Sequence, residues 1–543
     1  MGREGSHENI GDTQTFNQKL KMSLGRYFRT LSKLKASQIY FQIYYKIKSL
    51  FSFRVNNRHF QRDIFPLKSK CFPFFKAQKI VGKNTFTFLS ITHHFEKDID
   101  WNVSINGRLW NYHLQYLDFL NDDALSLQER INLLEDISKS ILEGSLRLEP
   151  FPVSIRLINS LVFLHRLPDR KTNIDKALLK QIYFLKSNLE YHILANHLLE
   201  NLLAMCLASH FIKDRLLILK FTEKLTKELD KQILPDGAHY ERSIMYHMII
   251  MGRLMTLYSL PNLDHGLIFS LKNYLSLMAS WLYTFVGNEN ALPLFQDSSG
   301  NECLSPGTLL VKCDQLQIPY QTSQLKECGY RKFSFRNASL WVNSGNISPE
   351  YQPGHSHADL LNFILHVNHI PHIVDTGVST YEANDRRNYE RGSFAHNVVV
   401  IDGKDQSEMW RSFRIGRRAR LSIIQDNSDS LVGEIDQLFR PEWKHQRSFS
   451  IQDSDLVIHD KVMGGGNVNC ISLYHFDKDI SSIFIDQKSG TVEAGLIKIN
   501  FEGAENIVLE EYLQAVGFNH LENAMCLKVD FKKSLVTKIK VHG

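Results

Sequence analysis

No stretch of the 543-residue chain reaches the ~18 consecutive apolar residues that a membrane-spanning helix needs, so the sequence offers no such helix. The start, MGREGSHENIGDTQTFNQKL, has no apolar run behind a basic segment. It does not read as a signal peptide, and the expected location is cytoplasmic or membrane-peripheral. Cysteines are few: Cys71, Cys206, Cys303, Cys313, Cys328, Cys470 and Cys526. The count is odd, the spacing irregular, and no CxxC occurs, which argues against a disulfide framework or a zinc ribbon and for buried free thiols. No strict repeat is visible, and no nucleic-acid-binding motif.

The chain is too long for one hydrophobic core, so two or three domains are expected. The net charge of +6 conceals an asymmetry. Residues 1–83 hold 17 Lys/Arg against 4 Asp/Glu, and the remainder 47 against 54. A basic arm of this kind meets nucleic acid, anionic lipid or an acidic polymer. Within it, LGRYFRTLSKLKASQIYFQIYYKIKSLF spaces its aromatics as a helix would. The plainer reading is a helix docked on its own protein; the sharper one is peripheral membrane contact.

From about residue 108 to 320 apolar residues recur every three or four positions, interrupted by EPFP, LPDR, LPDGAH and LPNLDHG. That pattern predicts consecutive helical hairpins in a toroid or solenoid. After about 330 the segments are short, β-branched and bounded by Gly, Asn, Asp and Ser, which predicts an antiparallel β-sandwich. The expected division is a basic, partly helical arm over 1–100, an α-domain over 101–325 and a β-domain over 326–543. A cleft between the last two is the expected ligand site.

Three segments concentrate polar groups on apolar surroundings. ANHLLENL carries Asn196, His197, Glu200 and Asn201, which share one helix face. LPDGAHYERSIMYH runs from a turn into a helix with His239, Tyr240, Glu241, Arg242, Tyr246 and His247. A tyrosine there can transfer a proton, although packing is the commoner role. The third segment opens with GHSHADLLNF: His355 and His357 would face one way only on extended backbone. With Asp375 and His396, His357 makes a set of two imidazoles and a carboxylate that suits zinc. Each residue alone is more simply a satisfied polar group.

At these residues the chain resembles the heparinase II/III family of polysaccharide lyases, which includes heparinase-like and alginate lyase-like members. The likeness is carried by NHLLEN, LPDGAHYERSIMYH, PLFQDSS, GHSHADLLNF, HIVDTGVSTYEANDRRNYERGSFAHNVVVIDGKDQSEMW, FRIGRRAR and RLWNYHLQYLDFL. It implies an incomplete (α/α) toroid followed by an antiparallel β-sandwich. It implies cleavage of a uronic-acid-containing, glycosaminoglycan-like anionic polysaccharide by β-elimination. Asn196 would neutralise the substrate carboxylate, with His197 and Glu200 as supporting or neutralising groups. Tyr246 would act as acid and also as candidate base, His355 as second base candidate. His357, Asp375 and His396 would hold a structural zinc ion. Degradative members are usually exported, so a periplasmic location is the alternative expectation. The basic arm points instead to assembly or turnover of a cell's own exopolysaccharide or capsule. A toroid that binds polysaccharide without cleaving it is the competing reading, and nucleic-acid binding is not expected. Arg242, Arg386, Arg387, Arg391, Arg411, Arg414, Arg417 and Arg418 could serve an anionic chain, though each singly reads as surface or ion pair.

Overall fold

A computed structural model describes residues 25–50, 64, 80–82, 84–122, 124–164, 172–289, 292–437, 439 and 442–542. Cys71 and most of 1–100 outside 25–50 and 80–100 therefore lie outside the described residues. The six described cysteines are free and buried. Among the described residues no helix is long and apolar enough to cross a membrane.

The arm contributes helix α1 over 25–31 and α2 over Ala36–Leu50. A small antiparallel sheet of Ile80–Gly82, Thr85–Phe88 and Ile91–His94 follows. Its Phe86 and Phe88 pack on Phe119 and Trp110, joining this sheet to the α-domain core.

The α-domain comprises α3 (Arg108–Tyr116), α4 (Leu127–Glu143), α5 (Pro150–Leu164), α6 (Thr172–Ser187), α7 (Ala195–Phe211), α8 (Arg215–Gln232), α9 (Ile244–Tyr258), α10 (His265–Val286) and α11 (Pro306–Gln315). Burial separates them into two layers. Helices α5, α7 and α9 are buried almost all round, as helices enclosed on every side must be. Helices α4, α6 and α8 are apolar on one stripe only. The inner helices touch one another in sequence, α5 on α7 and α7 on α9, while α4 meets α6 and α8 meets α7. This is the two-layered α toroid that the periodicity predicts. Local signals fix the ends: Ser126 and Glu129 form a capping box on α4, and Gly144 closes it in the left-handed region.

The β-domain begins at Tyr330. Strands Tyr330–Phe335, Ala338–Asn343, Phe363–Val367 and Ile370–Ile373 form one antiparallel sheet. An eight-stranded antiparallel sheet includes Leu421–Asp426, Ser430–Asp436, Lys444–Gln452, Asp455–Met463 and Ser534–Val541. A further sheet joins Asn506–Gly517, His520–Phe531, Cys470–His475 and Val399–Ile401. Strand Lys444–Gln452 alternates buried and partly exposed residues, as one face on a core requires. The inward residues form a second core, with Leu340, Phe363, Trp443, Phe449 and Leu527 in it.

Arg242 ties the two domains together. Its guanidinium donates to the carbonyls of Cys328, Gly329 and Asn346 and to the Asn343 side chain. It is buried and structural, so its expected place among surface or ligand-facing cations is corrected. The fixed domain junction sets the cleft between them.

Candidate active site

A cavity of about 880 Å³ opens where the toroid meets the sandwich. Its lining includes Asn196, His197 and Glu200 from α7, Tyr246 from α9, and His355 from the loop before strand Phe363–Val367. All five expected catalytic residues therefore share one space. The three expected metal residues, His357, Asp375 and His396, lie buried behind it.

The backbone around the cavity is strained at matching points. Leu194, Ala195, Arg242 and Gln296 all have positive φ, although none is glycine. Each stands next to, or one removed from, Asn196, Glu241 or Asp297. Such conformations persist only where surrounding packing over-determines them, and they gather at functional sites.

His355 lines the cavity and His357 lies behind it beside His396, yet the two share one partner. The loop turns both toward one carboxylate, that of the fully buried Asp297. His355 Nδ1 lies 2.9 Å from Asp297 Oδ2, and His357 Nε2 lies 2.9 Å from Oδ1. Arg387 adds a two-pronged bond of 2.5 and 2.7 Å to the same two oxygens. Burial alone would raise the Asp297 pKa, but Arg387 and the two imidazoles hold it well below the usual range. An ionised carboxylate only accepts, so each histidine donates its facing N–H. In its neutral form His355 is thereby the Nδ1–H tautomer, with the lone pair on Nε2.

The ring of His355 lies on that of Tyr246, centroids 4.0 Å apart. Tyr246 Oη is 3.3 Å from Tyr381 Oη. Burial pushes the Tyr246 pKa up, outweighing the hydrogen bond to Tyr381. Tyr246 thus rests as a phenol, a proton donor.

Across the cavity, His197 Nδ1 meets Glu190 Oε1 at 3.1 Å, and its ring stacks on Phe151. Burial lowers the His197 pKa, but Glu190 more than compensates and the net shift is upward. Glu190 is itself held by Asn201. The backbone N–H of Asn196 donates to Glu241, whose pKa burial raises. Glu241 Oε2 is buried and accepts no hydrogen bond. Glu200 meets Arg253 Nε at 3.4 Å, and burial raises its pKa too. One wall therefore offers an amide, a protonatable imidazole and two carboxyl groups inclined to hold protons.

Of the expected metal residues, His396 Nδ1 bonds Asp375 Oδ2 at 2.8 Å, and Asp375 also accepts from Asn362. The His357 and His396 rings lie 5.3 Å apart. Their outer nitrogens, His357 Nδ1 and His396 Nε2, are buried without a hydrogen-bond partner. Two such donors suit zinc in kind. Asp375 stands behind His396, and among the described residues no three His, Cys, Asp or Glu side chains are gathered as a metal site.

The profile of the Heparinase II/III N-terminus matches residues 175–305, and that of the Heparinase II/III-like C-terminal domain matches residues 318–525. The chain belongs to the heparinase II/III family. Solved structures agree on the fold. A heparinase III crystal structure superposes with a TM-score of 0.63 at 16% identity, covering 83% of this chain and 80% of that one. Heparan sulfate lyase HepC from Pedobacter heparinus gives a TM-score of 0.54 at 16% identity, covering 85% and 81%. Comparison with curated protein sequences gives no significant match.

Sequence reasoning passed over Asp297, Tyr381 and Glu190. Asp297 sits in PLFQDSS and Tyr381 in the segment around 373–410, both within the family-like stretches, yet neither lies in a periodic pattern that marks it. Of the eight arginines singled out in the sequence, only Arg411 and Arg414 line the cavity. Arg387 and Arg391 are fully buried, the latter donating to the carbonyls of Ser356, Arg411 and Arg414. Arg386 pairs with Glu390, and Arg418 donates to the Glu350 carbonyl.

Proposed function

We propose that this heparinase II/III family protein is a polysaccharide lyase that cleaves a uronic-acid-containing anionic polysaccharide by β-elimination. The observation that carries the reading is the pairing of Tyr246 with an Asp297-oriented His355, facing Asn196, His197, Glu200 and Glu241 across one cavity.

β-Elimination needs three things: a neutralised C6 carboxylate, a base for the C5 proton and an acid for the leaving O4. The Asn196 amide and the His197 imidazolium would take the carboxylate. Glu200 or Glu241, when protonated, would share a proton with it. His355 Nε2, left with its lone pair, would remove the C5 proton. The C5–H electrons form the C4=C5 double bond as the C4–O4 bond breaks. Tyr246 would give its phenolic proton to O4, and Tyr381 would hold that phenol in place. No water is consumed.

Of the arginines along the cavity, Arg108 pairs with Glu149 and Arg253 with Glu200, while Arg411 and Arg414 also line it. Zinc enters the proposal as a brace and not as a reactant. His357 and His396 would hold it, with Asp375 orienting His396 from behind, as carboxylates commonly do.

The test is a panel of acidic polysaccharides, sulfated and unsulfated, followed by the ultraviolet absorbance of the unsaturated uronate product. The expected result is product from uronate-containing chains. Binding of those chains with no absorbance change on any of them would sink the lyase reading and leave a polysaccharide-binding protein.

A further inference from the structure

Helix α2 is apolar on two faces, and among the described residues only one of them is covered. The inner face is docked. Gln38 Nε2 donates to the carbonyls of Ile193 and Tyr351, Phe41 stacks on Tyr191 with centroids 4.8 Å apart, and Tyr45 Oη donates to the Leu189 carbonyl. These contacts fix the helix at the cleft mouth, where Leu34, Gln38 and Gln42 line the cavity.

The outer face carries Ile39, Tyr40, Ile43, Tyr44, Ile47 and Leu50, at spacings that put them on one stripe. Their side chains are 41, 63, 55, 44, 51 and 80% exposed. Phe28 and Leu31 of the preceding α1 are also exposed. Among the described residues nothing packs on this stripe. The inner contacts already hold the helix, so the outer ridge is not needed for folding. Large contiguous apolar surface of this kind marks an interaction site.

Charge selects the occupant. Residues 25–50 contain six Lys/Arg and no Asp/Glu, of which Arg26 and Arg29 pair with Glu408 and Lys48 donates to the Ser187 carbonyl and to Asn188. On a helical projection exposed Lys46 flanks the stripe on the margin opposite Lys48. A second copy would set like charges against one another beside the stripe. An anionic lipid surface accepts both features: the apolar stripe sinks to the acyl boundary, Lys46 meets headgroups, and the tyrosines sit at the interface.

We propose that the outer face of α2 docks on an anionic membrane surface, holding the mouth of the cleft beside the membrane. A polysaccharide would then be met where it leaves or approaches that surface. The docking itself stands whether or not the cleft is a lyase site.

The experiment is vesicle flotation of the full chain, using phosphatidylcholine alone and phosphatidylcholine mixed with phosphatidylglycerol. Flotation with the anionic vesicles, weakening with salt as charges are screened, is expected. Lys46→Glu should weaken it by more than the roughly fivefold attributable to one lysine near such a surface. The double variant Ile43→Asp/Ile47→Asp changes exposed residues only and should lose at least about tenfold in binding, because two apolar side chains no longer insert. Its melting temperature should match the wild type. No preference for anionic vesicles, or undiminished flotation of the double variant, overturns the proposal. So does a dimer by light scattering that the double variant converts to monomer, because the stripe would then be a protein interface. If the double variant is unstable, vesicle selectivity of the wild type and of Lys46→Glu decides.

Discussion

The ring of Tyr246 packs on that of His355, centroids 4.0 Å apart and planes tilted by 31°, so a phenol and an imidazole border the same small volume. His355 donates to Asp297 behind it, and burial favours the phenol form of Tyr246, so under the proposed function one is the base and the other the acid. The two roles are separated by environment, which is how two titratable groups divide acid and base work.

Tyr246→Phe removes one hydroxyl and little else. It should cut turnover by about 10²–10⁴-fold, the usual contribution of a general acid. Substrate binding, measured calorimetrically, should persist. A variant with full turnover on a polysaccharide that the wild type cleaves would remove Tyr246 from the reaction.

Asp297→Asn tests the tautomer. An amide cannot accept from both histidines and Arg387 as a carboxylate does, so His355 loses its fixed proton and Arg387 its counter-charge. Turnover should fall by about 10²–10⁴-fold with little change in KM. Stability to denaturant should fall by about 3–5 kcal/mol, the range for breaking a buried pair. The pH sign follows from the depressed pKa of Asp297. Its stabilisation is present above the unfolded carboxyl pKa of about 3.9 and is lost as pH falls through the lower folded value. A variant as stable and active as the wild type would mean that Asp297 orients nothing.

How much of this was legible in the sequence differs by feature. The toroid and sandwich were readable because the apolar period changes from helical to alternating near residue 330. Asn196, His197 and Tyr246 were readable because helical spacing and family-like motifs mark them. Asp297 was not, because its partners lie 58, 60 and 90 residues further along the chain and a single acid in a loop carries no period. The left-handed backbone at Leu194, Ala195 and Gln296 is equally silent, since none of these is the glycine or asparagine that usually announces it. The bend that separate roles for His355 and His357 require is present, but the shared Asp297 contact was not legible, because a carboxylate distant in the chain gathers one nitrogen of each ring.

His197 offers a pH test. Its folded pKa is raised by Glu190 above the ordinary value of about 6.5, so their pairing is fully present below that pH and is lost as pH rises through the folded pKa. As a cation it also favours a bound carboxylate. KM should therefore rise with pH through that value. Glu190→Gln should lower the His197 titration seen by NMR and shift the rise in KM to lower pH. A KM profile indifferent to Glu190→Gln would exclude an imidazolium from carboxylate binding.

Metal analysis of purified protein should find one zinc per chain, and His396→Ala should abolish it. Chelation should lower the melting temperature more than it lowers turnover under conditions where the protein stays folded, because the proposed mechanism gives the proton-transfer roles to His355 and Tyr246. Stoichiometric zinc in His396→Ala, or metal-free protein of unchanged stability, would leave His357 Nδ1 and His396 Nε2 as unfilled donors only.

Gln38 links the arm to the chemistry. Its side chain is 1% exposed and reaches carbonyls in both domains, Ile193 of the toroid and Tyr351 of the sandwich, while bordering the cavity. Gln38→Ala strips the donor from both carbonyls and opens a gap beneath α2. An unmade buried hydrogen bond costs about 1–3 kcal/mol, and that cost falls on docking of the arm, not on the toroid or sandwich cores. The expected result is a small loss of overall stability, faster proteolysis within residues 25–50, and a several-fold rise in KM as the cleft wall loosens. The kcat should change little, since Gln38 contacts none of the proton-transfer residues. Unchanged KM with an arm newly open to protease would show that α2 borders the cleft without shaping substrate binding. A fall in kcat with KM intact would place the arm in positioning the reacting groups.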